Sequence, residues 1–220
     1  MIIAIDGPAA SGKSTTAIGV AKCLGITYLD TGAMYRAVTF GLIENDIKFE
    51  DSSELDNYLK QIKLKLSETK SGVILNLDGR NISKEIRSSK VTENVSEVSA
   101  LKSVRDSMVL IQRKMAKKND CILEGRDIGT VVFPDADFKF FLIADEKVRA
   151  KRRQNDLKKM GEQKSIDNVT RDIINRDYKD STRKHSPLIK SENAIIIDTS
   201  NLGINKVIDK IVNIVNKKGH

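Results

Sequence analysis

Gly7-Pro8-Ala9-Ala10-Ser11-Gly12-Lys13-Ser14-Thr15 follows the short apolar run at 2–5 and precedes a stretch with helical spacing at 13–24. The segment fits the pattern G-x-x-x-x-G-K-[ST], and it stands between a strand and a helix, as that pattern's chemistry requires. Backbone N–H groups of such a loop, together with the positive end of the following helix, surround a β-phosphate. Lys13 is then placed to reach β and γ oxygens, and Ser14 to offer its hydroxyl to Mg²⁺. A plain glycine-containing turn is the alternative, and the full pattern in this setting outweighs it. Residues Gly7 to Thr15 are therefore expected to bind the phosphates of ATP.

Outward from this loop, apolar runs at 2–5, 26–29, 121–123, 138–143 and 194–197 are short and rich in β-formers, which predicts five core strands. Helical spacing near 13–24, 32–44, 101–117, 145–160, 166–182 and 204–217 alternates with them. Strand and helix in alternation imply an α/β fold with a doubly wound, five-stranded parallel sheet. The alternation breaks between about 46 and 100, where 72–82 alternates apolar and polar residues around the turn signal Asp78-Gly79. An inserted lobe with a hairpin is the natural explanation. The expected organisation is one domain over 1–220: a core of 1–45 and 101–220, an insertion at about 46–100, and a lid at about 149–183. Within the lid, 160–165 is loosely patterned, with one Gly and one Lys just after Lys158 and Lys159.

At 220 residues and 40% hydrophobic content the chain can bury one substantial core. No run approaches the roughly 18 apolar residues of a membrane span, and 1–5 lacks the basic start of a signal peptide, so a soluble, cytoplasmic protein without membrane contact is expected. Cys23 and Cys121 lack metal-ligand spacing, and both read as buried free thiols. Lys and Arg exceed Asp and Glu by 38 minus 30, or +8, which favours anionic partners, although runs such as 158–164 also suit solvated surface. A basic ATPase acting on nucleic acid has only that charge in its favour: four Tyr, six Phe and no Trp form no stacking motif, and no nucleic-acid partner is expected.

A phosphate loop alone does not separate a kinase from a GTPase or a motor. The chain lacks an Asn-Lys-x-Asp element for guanine and an Asp-x-x-Gly switch, and its size leaves little room for a motor. After the second predicted strand comes Asp30-Thr-Gly-Ala-Met-Tyr-Arg36, opening a helix at the sheet edge where open α/β folds place ligands. Thr31 could cap that helix, and Arg36 offers a planar fork for phosphate oxygens or for a surface ion pair. In Glu124-Gly-Arg-Asp-Ile-Gly-Thr130 another strand ends in a carboxylate followed by Arg and Asp. Glu124 could support Mg²⁺ through water, Arg126 could hold a second phosphate, and Asp127 could face a base or cap a helix.

With these blocks in view the chain resembles the bacterial cytidylate kinases. The resemblance rests on 7–15, 30–36, Asn81-Ile-Ser83 through Ile86-Arg87, Gly125-Arg-Asp-Ile-Gly-Thr-Val-Val-Phe-Pro134, and 176–188, in that order along nearly the whole chain. It implies transfer of the γ-phosphoryl group of ATP to CMP and dCMP, with Mg²⁺, by a monomer whose insertion at 46–100 binds the monophosphate. Carried over by motif, Thr31 lies near the acceptor, Arg36 and Arg126 bind its phosphate, and Ser96, Arg105 and Asp127 read cytosine. The polarity suits that base: its amine donates to a carboxylate, while N3 and O2 accept from Arg and a hydroxyl. A kinase for UMP would share the loop and lid but not this polarity. Glu124 stands where the family commonly carries Asp.

Arg149 and Arg153 are four residues apart on one predicted helix with Arg152 beside them, and Arg176, Asp180 and Arg183 fall at i, i+4 and i+7 on the next. By spacing alone these stripes suit a solvated helical hairpin laced by ion pairs as well as a lid. The resemblance implies that Arg153 contacts ATP, and that Arg176, Asp180 and Arg183 approach the acceptor's sugar and phosphate. Lys13, Arg126, Arg153 and Arg176 are the expected catalytic set.

Overall fold

Strand β1 (Ile2–Asp6) runs through the middle of a five-stranded parallel sheet with β2 (Thr27–Asp30), β6 (Cys121–Gly125), β7 (Phe138–Ile143) and β8 (Ile195–Asp198), in the order β2-β6-β1-β7-β8. The computed structural model describes residues 1–69, 72–117 and 119–218. Ile3 pairs with Ile122 on one side of β1 and with Phe138 on the other. Ile3, Ala4, Ile5, Ile122 and Leu123 are wholly buried, as expected where helices cover both faces of a parallel sheet. Each such Ile or Leu contributes about 1.5–3 kcal/mol by leaving water. The chain leaves β1 toward β2 and returns through β6 to β7 on the opposite side. The carboxyl end of β1 is therefore a topological switch point, where open α/β sheets hold ligands.

Helix α1 (Lys13–Leu24) starts at Gly12, with φ 94, and stops at Gly25, with φ 66, whose N–H reaches Ala21 O. The expected strands and helices recur with ends shifted by a residue or so. Strand β8 is Ile195–Asp198 rather than 194–197, and α2 (Thr31–Glu44) begins one residue early.

Packing divides the chain into two units, Met1–Tyr28 with Lys118–His220, and Leu29–Lys117. The expected insertion at 46–100 falls within the second unit, which also takes in α2. That helix is the unit's centre. Met34, Val38 and Leu42 pack with Leu55 of α3 (Ser53–Gln61), Val95 of α4 (Ser89–Val98) and Met108 of α5 (Lys102–Ala116). Ala33, Ala37 and Phe40 meet Leu75 and Leu77 of a small antiparallel sheet, β3 (Leu64–Thr69), β4 (Gly72–Leu77) and β5 (Arg80–Asn81), and Ile82 just past its last strand. A helix apolar on several faces is a buried one. The hairpin expected at 72–82 is present: Asp78 and Gly79 take φ 52 and 87, the two positive values of the tight turn that suits twisted strands. Strand β3 and helices α3 and α4 were not expected, although Leu55 and Leu59 on α3 and Val91, Val95 and Val98 on α4 fall at helical spacing and are buried.

In the first unit, α6 (Glu146–Lys159) and α7 (Ile166–Thr182) form a hairpin over a small apolar seam of Ala150, Leu157, Val169 and Ile173, against which Ala10 also packs. Helix α8 (Ile204–Lys218) lies on α1, where Gly19 leaves room for Ile208: a Cβ there would stand 2.2 Å from its Cδ1. Both cysteines are free, but Cys23 is exposed, against expectation, because it falls on the outward side of α1; Cys121 is buried. Among the described residues no helix is long and apolar enough to cross a membrane.

Candidate functional site

Gly7 has φ 151, and a Cβ there would lie 2.2 Å from Leu142 O, so the loop leaving β1 can pass the end of β7 only as glycine. Lys13 lies along the loop, its Nζ donating to Pro8 O at 2.7 Å, and is only 5% exposed. Burial, reinforced by the Arg126 and Arg176 guanidiniums and opposed by Glu124 and Asp6, lowers its pKa to about 7. A phosphate chain entering the loop supplies the missing counter-charge. Ser14 Oγ donates to Glu124 Oε1 at 2.7 Å, and Tyr28 OH reaches the same oxygen at 3.4 Å. A hydroxyl and a carboxylate converging beside a phosphate loop are the hard oxygen ligands Mg²⁺ takes, so these residues fit that ion.

Asp6, at the end of β1, was not singled out from the sequence. Its two carboxylate oxygens accept from Ile128 N at 2.8 Å and Gly129 N at 2.7 Å, fixing the short turn Ile128–Val132 that follows Arg126 and Asp127. Burial raises its pKa to about 6, outweighing the two amide bonds; Asp127 adds to the rise and Lys13 opposes it. The folded state thus holds this proton more tightly than the unfolded chain. Its contribution to stability is complete below about pH 3.8 and is lost as pH rises through about 6. Asp6→Asn is therefore expected to gain on the parent by up to about 3 kcal/mol between about pH 4 and pH 7.5, as read by urea unfolding. A difference that stays constant across that range would mean Asp6 titrates like an exposed carboxyl.

The paired charges around this turn come from β6 and α7. Arg126 Nε donates to Asp180 Oδ2 at 2.8 Å, both side chains nearly buried. Burial works against the charge of both groups, yet their attraction wins: the Arg126 pKa rises, and that of Asp180 falls under Arg126, Arg176 and Arg183. Arg183, just past the end of α7, donates to Ser186 O at 2.7 Å and lies 3.6 Å from Asp127 Oδ1. Asp127 is 3% exposed and makes no capping bond from its side chain, although it precedes the turn, so the capping alternative does not hold. Lys13, Ser14, Glu124, Arg126, Asp127, Arg176, Asp180 and Arg183 thus share one electrostatic neighbourhood in the first unit.

Thr31, Arg36, Ser96 and Arg105 belong to the second unit. Thr31 does not cap α2. Asp30 does, accepting from Ala33 N at 2.7 Å, because the strand's last residue already has the extended backbone a cap needs. Thr31 is buried as the first helical residue. Arg36 lies 3.6 Å from Asp30, the ion pair foreseen as one alternative, while its Nε is buried without a hydrogen-bond partner among the described residues. Arg105 is 2% exposed on α5, donates to Ser99 O at 3.2 Å and stands 5.3 Å over the Tyr35 ring. Ser96, half-buried on α4, accepts at its carbonyl from Ser99 Oγ at 3.1 Å. Ser99 therefore links the two residues, although nothing in its sequence setting distinguishes it from other serines.

On α6, Arg149 turns inward to Ala9 O, Ala144 O and Asp177, while Arg152 bonds Thr199 through Nη1 at 3.0 Å and Nη2 at 2.7 Å. Arg152 also comes near the loop, its Nη1 3.8 Å from where a Gly12 Cβ would be. Arg153 is half-buried, and among the described residues no hydrogen bond or ion pair engages it. Asp177 and Thr199 were missed because neither falls on the charged stripes that spacing picks out.

The family described as cytidylate kinase is matched over residues 3–217. The chain is 46% identical over 218 residues to a cytidylate kinase of Lactobacillus johnsonii, covering 99% of this chain and 95% of that one. It is 46% identical over 218 residues to one of Fusobacterium nucleatum, at 99% and 96% coverage, and 44% over 218 residues to one of Carboxydothermus hydrogenoformans, at 99% and 98%. Among solved structures, an uncharacterised protein from Eubacterium ventriosum aligns with a TM-score of 0.54, and a shikimate kinase from Bacteroides thetaiotaomicron with 0.50. Each is 12% identical and covers 98% of both chains, a likeness of fold.

Proposed function

Since the chain belongs to the cytidylate kinase family, we propose that it transfers the γ-phosphoryl group of ATP to a phosphate oxygen of CMP or dCMP, giving ADP and CDP or dCDP. The observation that carries this reading is the gathering of Lys13 in its phosphate loop with Arg126, Asp127 and Asp180 at one edge of the parallel sheet. An acceptor phosphate is largely dianionic near neutral pH, with a second pKa of about 6, so it needs no base to become a nucleophile. Its oxygen forms the new bond to the γ-phosphorus as the bond from that phosphorus to the bridging oxygen of ADP breaks. The protein's task is to align two polyanions, cancel their repulsion and exclude water.

Loop amides and Lys13 hold the donor's β and γ oxygens, and Lys13 is recharged by them. Arg126 and Arg176 hold the acceptor phosphate, and Arg153 closes on ATP. Ser14 directly, and Glu124 through water, would hold Mg²⁺, which when bound screens the charge on the donor phosphates. Asp127 accepts from the cytosine amine while Arg105 and the Ser96 hydroxyl donate to N3 and O2, a polarity uracil reverses at position 4 and N3. Asp180 and Arg183 meet the sugar. Residues 46–100 serve as the monophosphate-binding lobe and 149–183 as the lid of a cytoplasmic monomer.

A panel of CMP, dCMP, UMP and AMP with ATP and Mg²⁺ tests this directly. CMP and dCMP are expected to turn over with kcat/KM at least about 100-fold above UMP. Equal use of UMP, or no turnover with CMP, would overturn the reading.

A further inference from the structure

One residue of the phosphate loop is gripped from both sides by the helical hairpin. Ala9 N donates to Asp177 Oδ1 at 2.9 Å, and Ala9 O accepts from Arg149 Nη1 at 3.1 Å. Arg149 and Asp177 also pair with each other, and Arg149 Nε is anchored on Ala144 O at 3.1 Å. The Arg149 side chain is 7% exposed and that of Asp177 19%, so the three-way contact is mostly shielded from water. The next residue, Ala10, takes φ 57 and packs on the hairpin's apolar seam. A non-glycine residue in that region needs outside support, and the grip on Ala9 supplies it.

Asp177 has a second significance by position. It follows Arg176 on α7, and Asp180, one turn on, holds Arg126. One helix thus carries both the grip on the donor loop and the partner of an arginine assigned to the acceptor. We propose that Arg149 and Asp177 are positioning residues that, through the backbone of Ala9, set the donor phosphate loop in register with the acceptor-binding arginines. This rests on the cytidylate kinase reading. Misplacement of reacting atoms by about 1 Å can cost some 100-fold in rate with little effect on binding. The pair's effect therefore falls on kcat.

Asp177→Asn keeps the shape but loses the charge on which Arg149 rests, and Arg149→Gln removes the other arm. Each variant is expected to lower kcat about 10- to 100-fold, with KM for ATP and for CMP within about threefold of the parent. The double variant is expected to be no slower than the worse single one, because the two side chains act as a unit. A second readout is independent of activity: amide hydrogen exchange at Ala9, followed by NMR in the nucleotide-free protein. Ala9 is expected to be protected in the parent and to lose at least about tenfold of that protection in Asp177→Asn. Parental kcat in both variants, KM changes without kcat changes, multiplicative single effects, or an unprotected Ala9 in the parent would each overturn the proposal. A parent that fails to use CMP while Ala9 is protected and Asp177→Asn releases it would instead strike the assigned reaction and leave the clamp standing.

Discussion

Lys13→Ala is expected to lower kcat about 100- to 1,000-fold, the scale of removing one preorganised charge from a transition state, while the protein stays folded. Folding and activity separate here because of how Lys13 is held. Its ammonium is buried, and its pKa falls to about 7. The folded protein therefore binds this proton less tightly than the unfolded chain, and near neutral pH the group costs stability instead of adding to it. The substitution removes that cost together with one bond to Pro8 O, so the melting temperature should hold or rise. ATP-dependent turnover and a thermal melt on the same preparation check both halves. A folded variant with near-parental turnover would remove Lys13 from the reaction.

Asp127→Ala is expected to lower the CMP/UMP ratio in kcat/KM by about 100-fold or more. Sites built to hydrogen-bond a substrate group reject its analogue through groups left unpaired, an effect much larger than shape alone provides. Asp127 is suited to this role because it is 3% exposed and its side chain is not used as a helix cap. Arg183, at 3.6 Å from it, keeps its bond to Ser186 O without it. Asp127→Asn sharpens the test: it preserves volume but offers a donor, which suits O4 of uracil better than the amine of cytosine. Its ratio should move further toward UMP. An unchanged ratio in both variants would take Asp127 out of base recognition.

The inward role of Arg149 shows where reading by spacing stops. Arg149 and Arg153 are four residues apart, which puts them on one face of α6. Yet Arg149 is tied to Ala9 and Asp177, while no hydrogen bond or ion pair engages Arg153 among the described residues. Helical periodicity says which side a residue occupies and nothing about what lies beneath it. Arg152, three residues from Arg149 and so next to that face by spacing, instead bonds Thr199 because β8 ends within its reach. Asp30 and Thr31 teach the same point at smaller scale: either can cap a helix chemically, and backbone geometry at the end of β2 chose Asp30.

By itself the sequence determined the strand-helix alternation, the parallel sheet, the phosphate loop and its lysine, and the hairpin at Asp78-Gly79. Each depends on residues close together along the chain, whose periodicity, backbone freedom and capping chemistry act locally. The tertiary structure alone decided that Asp6 secures the turn after Asp127, that Ser14 and Glu124 share a hydrogen bond, and that Asp177 grips Ala9. These contacts join residues 110 to 168 apart along the chain. Their meeting is set by which strands lie side by side and how helices pack on them, an outcome of burying the whole core at once rather than of any local pattern.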